Sequence, residues 1–124
     1  MFKNIRFCVL GNVYAPKRDR FMPSPVKPTP STAEVIATTA RITGLSGVEL
    51  IHPQQVTGEN LVAVQAALQQ HGLACASVAA SISSRWEYEG GSLTADDPAV
   101  RAQAVQTAKN AMDLAAALGA QRIN

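Results

Sequence analysis

The feature that most constrains the fold is an alternation between short apolar runs and longer segments with helical spacing of apolar residues. The runs occupy residues 5–10, 47–51 and 73–80, and a helical segment follows each of them. Parallel strands need a crossover between them, because a tight turn can join only antiparallel neighbours. The sequence therefore predicts an α/β fold of parallel (β/α) units.

Each predicted helix begins after a capping side chain and ends near a glycine. The caps are Ser31, Thr57 and Asp97, and the glycines are Gly44, Gly72 and Gly119. Ser31 and Glu34 have the spacing of a capping box, and Pro98 stands at the first position of the third helix. The apolar face of that helix is predicted at Val100, Ala104, Ala108, Met112, Ala115 and Leu118.

Two architectures fit the alternation: an open doubly wound sheet, and part of an eight-fold barrel. A dinucleotide-binding sheet would show Gly-x-Gly-x-x-Gly after its first strand, whereas this chain has a single glycine there, Gly11. The barrel is therefore favoured. A full barrel takes about 250 residues, and residues 121–124 have the character of a strand that has only begun. We expect residues 1–124 to be the N-terminal half of a TIM barrel, truncated at the start of strand four.

Two long loops follow the first and third strands, at residues 12–30 and 81–96. The first loop region contains five prolines and cannot form regular structure. Long loops inside compact domains are often functional, and barrel enzymes place their catalytic residues in the loops after the strands. Both loops are therefore predicted to lie at the active face.

Composition restricts the cellular setting and the partners. No apolar run approaches the roughly 20 residues needed to cross a bilayer, so a cytoplasmic protein without a membrane partner is expected. The net charge is only +2, and no basic stripe indicates nucleic-acid binding. Cys8 and Cys75 lie in apolar strand-like runs and are expected to be reduced core thiols.

Two stretches of the chain carry a family resemblance. Residues 88–101 read Tyr-Glu-Gly-Gly-Ser-Leu-Thr-Ala-Asp-Asp-Pro-Ala-Val-Arg, and the helix that follows ends Asp-Leu-Ala-Ala-Ala-Leu-Gly-Ala. Gly-Val-Glu-Leu stands at residues 47–50. Together they resemble the xylose isomerase-like TIM-barrel family of sugar isomerases and epimerases over most of residues 31–124. The resemblance implies an enzyme, in the full-length protein, that interconverts aldose and ketose or epimeric sugars.

The resemblance also implies a cofactor and a substrate. A divalent metal, Mn, Mg, Co or Zn, is expected in the full-length protein, with Glu, Asp and His ligands in the second half of the barrel and none within this chain. Residues 1–124 alone are therefore expected to be inactive. A sugar or sugar phosphate is the expected substrate, and an unpaired edge strand favours a homo-oligomer.

Five residues at predicted strand ends and in the two loops are candidate site residues: His52 as a catalytic residue, and Trp86, Arg20, Arg85 and Asn12 as substrate-binding residues. His52 stands where the second strand meets its loop, and an imidazole pKa of about 6.5 suits a proton shuttle. The alternative for His52 is a structural position at the rim.

The other candidates are predicted to bind substrate because of the chemistry of their side chains. The flat apolar face of Trp86 suits the C–H face of a sugar, and an aromatic residue from this loop lines the pocket in the family; packing over the barrel mouth is the alternative. Arg20 and Arg85 could bind hydroxyls or a phosphate, or be solvated. Asn12 could donate to a hydroxyl or shape a turn. Tyr88 is a second choice for the role of Trp86.

Glu49 is an ionisable residue inside an apolar strand. A carboxylate left unpaired in such a place would cost several kcal/mol, so it needs a partner. An ion pair with a basic residue such as Arg6 is predicted, and a substrate-facing carboxylate is the alternative.

Two other functions compete with the sugar isomerase. A zinc-dependent apurinic-site endonuclease shares the barrel, but it should have histidines at several strand ends and a basic groove, and this chain has two histidines in all. The second competitor is a non-catalytic half-barrel that serves as a binding or oligomerisation module.

Overall fold

The computed structural model describes residues 6–14 and 28–124. Strands and helices alternate along the chain: β1 (Phe7–Leu10), α1 (Thr32–Ala40), β2 (Leu45–His52), α2 (Leu61–His71), β3 (Ala74–Ala80) and α3 (Pro98–Ala117). Single turns of 3₁₀ helix follow β1 and β3, at Gly11–Tyr14 and Trp86–Tyr88. The predicted α/β fold of strand–helix units is confirmed.

The sheet is parallel, with its strands in the order β1-β2-β3. Beyond β3, Val78 forms a parallel bridge with Ile123. The Ala80 N–H donates to the Asn124 carbonyl at 2.8 Å, and the Asn124 N–H donates to the Val78 carbonyl at 3.1 Å. Residues 122–124 thus lie where a fourth strand would continue the sheet. Consecutive strands as parallel neighbours, without a reversal of order, are consistent with part of a TIM barrel.

One face of the sheet is covered by the helices. Val48 and Leu50 of β2 and Val78 of β3 belong to a buried cluster that also contains Val35, Ile36, Val64, Leu68, Ala111, Leu114 and Ala115 from the three helices. Because successive side chains of a strand point to opposite faces, Glu49 lies on the other face. In a barrel that face is the interior.

A bulge in β3 decides which faces of the sheet its side chains occupy opposite β2. Val48 pairs with Cys75, and the next residue of β2, Glu49, pairs with Ser77, so Ala76 is an extra residue on β3. Beyond the bulge, Val78 faces the helices and Ser77 faces the interior beside Glu49. The bulge therefore places a serine next to the buried glutamate.

The helix boundaries confirm most of the predicted caps. The capping box is present, since the Glu34 N–H donates to Ser31 Oγ at 3.2 Å and the Ser31 N–H donates to Glu34 Oε2 at 2.7 Å. The bond from the Ser31 N–H, and a second one from Ser31 Oγ to Glu34 Oε2 at 2.8 Å, lower the pKa of the Glu34 carboxyl because they stabilise its charged form. Asp97 also caps α3, accepting from the Ala99 N–H at 2.8 Å.

Two predicted boundaries were wrong. The first helix ends at Ala40, short of Gly44. The second begins at Leu61, and Thr57 does not cap it. Asn60 precedes the helix, and its Oδ1 accepts from the Thr57 N–H at 2.8 Å. This bond closes a turn over residues 57–60, and the helix can start only after that turn.

The buried face of α3 also differs from the prediction. It consists of Ala104, Thr107, Ala111, Leu114 and Ala115, whereas Met112 is 54% exposed. Alternating steps of three and four residues keep side chains on one side of a helix. The predicted face used two steps of four in a row, from Ala104 to Ala108 and Met112, and such steps move around the helix away from the buried side. Thr107 is tolerated inside because its hydroxyl donates to the Gln103 carbonyl at 3.0 Å.

Within the described ranges, no helix combines the length and apolar character needed to cross a bilayer.

The two cysteines lie in different environments. Cys75 is buried, as predicted, but Cys8 is exposed, so the expectation of a second core thiol was wrong. The reason is that β1 lies at the edge of the sheet, where even Phe7 is 62% exposed. An apolar sequence identifies a strand without showing whether anything covers it.

We expect the two thiols to react at very different rates. Burial raises the pKa of Cys75 to about 11, and the thiolate is the reactive form, so Cys75 should resist alkylation near pH 8. Mass spectrometry after a short iodoacetamide pulse should show one label on the native chain and two on the unfolded chain. A Cys8→Ser variant should take up almost no label while native. Equal rates for the two thiols would contradict the buried position of Cys75.

Candidate functional site

The carboxyl ends of the parallel strands meet at one edge of the sheet. We term this edge, with the residues that directly follow the strands, the carboxyl edge; it includes Gly11 after β1, Pro53 after β2 and Ser81 after β3. Ligands of parallel α/β folds bind at such an edge, outside the strand ends. The carboxyl edge is therefore the candidate site.

His52 lies at this edge but is 8% exposed. Its Nδ1 is 2.9 Å from the Val56 carbonyl oxygen. A carbonyl can only accept, so Nδ1 carries the proton, and in the neutral ring Nε2 is the acceptor. In the alternation of β2, His52 falls on the same side as Leu50, toward the helix layer. The ring is thus held beneath the loop after β2, and its catalytic role stays a prediction.

The loop after β2 is fixed by Gln55, which is 7% exposed. Its Oε1 accepts from the Ile51 N–H at 3.0 Å, and its carbonyl accepts from Thr32 Oγ1 at 2.6 Å and from Asn60 Nδ2 at 3.0 Å. These bonds tie the loop to the start of α1. No role of Gln55 was predicted from the sequence, although a polar side chain shortly after a buried strand is a usable signal.

The loops after β2 and β3 are joined to each other. Gln54 Nε2 donates to Ser81 Oγ at 2.7 Å, and the Ser81 N–H donates to the His52 carbonyl at 2.8 Å. Both bonds cross between the ends of neighbouring strands. The loops after β2 and β3 are therefore held in a fixed relation at the carboxyl edge.

The loop after β3 presents one aromatic ring and buries another. Trp86 is 66% exposed, whereas Tyr88 is fully buried, with its hydroxyl 3.4 Å from Thr107 Oγ1. Tyr88 anchors this loop to α3 and cannot line an open pocket. The prediction of Tyr88 as a second choice for the pocket-lining aromatic residue was therefore wrong. Arg85 pairs with Glu87 of the same turn.

The remaining candidates are distributed along the same edge. Asn12 is exposed in the 3₁₀ turn after β1. Arg20 lies outside the described residues. Asn12, His52, Arg85 and Trp86 therefore all follow strand ends of one edge, and His52 is the buried member of the four.

Glu49 is 6% exposed on the interior face, and its partners differ from the prediction. Its Oε2 accepts from the Ser77 hydroxyl and from the Asn124 side-chain amide, which belong to the two strand segments that follow β2. Arg6 is described, and it forms no ion pair with Glu49. The predicted ion pair was therefore wrong, because neutral donors from neighbouring strands satisfy the carboxylate.

The sequence model of the xylose isomerase-like TIM barrel family matches residues 37–124. That family includes sugar isomerases and also endonucleases. No individual curated protein matches the chain.

Proposed function

The chain belongs to the xylose isomerase-like TIM barrel family, and from that premise we propose that it contributes to a divalent-metal-dependent sugar isomerase or epimerase. It would supply the first three strand–helix units and the start of the fourth strand. The substrate would be a sugar or sugar phosphate, and the whole protein would be a cytoplasmic homo-oligomer.

The observation that carries the proposal is the exposure of Trp86 at the carboxyl edge. A large aromatic ring left in solvent loses the stabilisation that burial would give it, so it suits a surface that a ligand covers. Its flat face matches the C–H face of a sugar ring. Tyr88 holds the loop from below, which presents the indole in a defined position.

Three polar residues could bind sugar hydroxyls. In the sequence, Arg85 directly precedes Trp86, and Asn12 and Arg20 follow β1. We propose all three as hydroxyl or phosphate ligands. For His52 we propose proton transfer during ring opening or isomerisation, with Nε2 as the accepting atom. A net charge of +2 favours a sugar over DNA as the partner.

A divalent metal would stabilise developing negative charge on the sugar oxygens. In residues 6–14 and 28–124 no three Glu, Asp, His or Cys side chains come together, so these residues do not fit a metal site. The roles that we assign to this chain are therefore binding, orientation and proton transfer by its own side chains.

The test is conversion of a panel of aldoses and ketoses by the full-length protein, with Mn, Mg, Co and Zn supplied separately. Trp86→Ala should raise KM about 3- to 10-fold, the scale of one aromatic contact, and Trp86→Tyr should restore most of it. Met112→Ala, at an exposed apolar position on α3, is the matched control and should leave KM unchanged. No metal-dependent conversion of any sugar would refute the proposal, and incision of apurinic DNA would favour the endonuclease.

His52→Gln separates a catalytic histidine from a structural one. Loss of a general acid–base residue should lower kcat by about 100-fold or more. If His52 only packs beneath the loop, the substitution should lower the melting temperature and leave kcat of the folded enzyme near the wild-type value. The second result would remove His52 from the proposed mechanism.

A further inference from the structure

The interior face of the sheet carries a polar cluster of three side chains: Glu49 on β2, Ser77 on β3 and Asn124 on the fourth strand segment. Asn124 Nδ2 donates to Glu49 Oε2 and lies 3.4 Å from Ser77 Oγ. Three neighbouring strands thus each contribute one polar side chain to the same point.

The chemistry of Glu49 determines the orientation of the Asn124 amide. An ionised carboxylate can only accept hydrogen bonds, so the atom of Asn124 that faces it must be the NH₂ group. The amide is planar, and its carbonyl Oδ1 therefore points away from Glu49. The oxygen and nitrogen of an asparagine are often interchangeable, but here the neighbouring group fixes them.

Asn124 is the exposed member of the cluster. Glu49 and Ser77 are each 6% exposed, whereas Asn124 is exposed. Ala79 follows Ser77 on the same face, with a small side chain between the cluster and the carboxyl edge. An acceptor oxygen thus faces the barrel interior close to the strand ends.

We propose that Asn124 is a substrate-binding residue whose Oδ1 accepts a hydrogen bond from a sugar hydroxyl. Glu49 is the positioning residue that keeps this oxygen turned toward the substrate. The inference rests on the proposed sugar substrate, and it adds a specific contact to it. Asn124 is not among the predicted substrate-binding residues Trp86, Arg20, Arg85 and Asn12.

The first experiment measures KM and kcat of the full-length enzyme for its best sugar. Asn124→Leu, which keeps the side-chain volume and removes the acceptor, should raise KM about 3- to 10-fold, the scale of one neutral hydrogen bond. Asn124→Ala repeats the test if the leucine disturbs the strand. Asn110→Leu, on the exposed surface of α3, is the matched control and should leave KM unchanged. An unchanged KM in both Asn124 variants would overturn the proposal.

Glu49→Gln tests the positioning role. A neutral glutamine can present its own NH₂ to Asn124, which allows the Asn124 amide to turn its oxygen inward. KM should then rise while kcat stays within about twofold, as expected for lost binding without lost chemistry. A melting temperature that falls with no change in KM would show that Glu49 is merely structural and would overturn its positioning role.

A binding measurement separates this inference from the proposed function. Xylitol and sorbitol carry sugar hydroxyls but no carbonyl, so they bind without reacting. Calorimetric titration should give a Kd for the wild-type protein that Asn124→Leu weakens by the same factor as KM. If no sugar is converted but this difference in Kd is found, the proposed isomerase reaction is wrong and the proposed contact of Asn124 with a sugar hydroxyl stands. If the wild type binds neither alditol, or both proteins bind equally, the contact is wrong.

Discussion

Tyr88→Ala is expected to lower the free energy of unfolding by about 3–5 kcal/mol, the cost of truncating a fully buried aromatic side chain. Tyr88 is 0% exposed, and its hydroxyl lies 3.4 Å from Thr107 Oγ1. Its removal leaves a cavity between α3 and the loop that carries Trp86. Urea denaturation followed by circular dichroism measures the change.

Two matched variants separate the effect of the buried ring from that of its hydroxyl and from that of the exposed ring nearby. Tyr88→Phe keeps the ring and loses only the long hydrogen bond, so the expected cost is about 1 kcal/mol or less. Trp86→Ala, two residues away on the same turn, removes a side chain that is 66% exposed and should cost far less than Tyr88→Ala. If Tyr88→Ala and Trp86→Ala had equal effects, the division between anchoring and exposed rings would be wrong.

Gly11→Ala is expected to cost about 1–3 kcal/mol through overpacking at the end of β1. A Cβ at this position would lie 2.7 Å from Gln55 Oε1 and 2.7 Å from the Glu49 carbonyl oxygen. The side chain of Gln55 can move only by giving up its bond from the Ile51 N–H, and the Glu49 carbonyl belongs to a central strand. Neither neighbour can yield without loss.

Gly58→Ala is the control, because a Cβ there would meet nothing within 4 Å. We expect its melting temperature to stay close to the wild-type value, or to rise slightly since alanine restricts the unfolded chain. Thermal unfolding of the two variants under one condition makes the comparison. Equal stability of Gly11→Ala and the wild type would show that β1 does not approach the loop after β2 this closely.

The order of strands and helices could be predicted from the sequence because it depends on local patterns. The apolar run at residues 47–51, the capping box at Ser31 and the left-handed Gly72 each act within a few residues. Short-range hydrogen bonds and side-chain periodicity are enough to specify such elements. The family resemblance, predicted over most of residues 31–124, was confirmed over residues 37–124 for the same reason, since its motifs are contiguous.

The details of the candidate site depend on contacts that local patterns do not contain. The partners of Glu49 stand 28 and 75 residues away, and a β-bulge decides which face Ser77 occupies. The exposure of Cys8 likewise depends on whether another strand covers the edge formed by β1. Asn12, His52, Arg85 and Trp86 could be assigned to one edge from sequence, because parallel strands bring their ends together; the burial of His52 and Tyr88 could not.

The extra residue in β3 has a consequence for how this protein can change over evolution. Below Ala76 the strand contributes Cys75 to the hydrophobic packing, and above it Ser77 faces the polar cluster. Deleting Ala76 would remove the bulge without moving any side chain to the other face, because Ser77 would follow Cys75 directly, opposite Glu49, and Val78 would still face the helices. Deleting Val78 instead would move each later residue of the strand to the opposite face. A single-residue deletion in β3 is therefore tolerated at the bulge and disruptive beyond it.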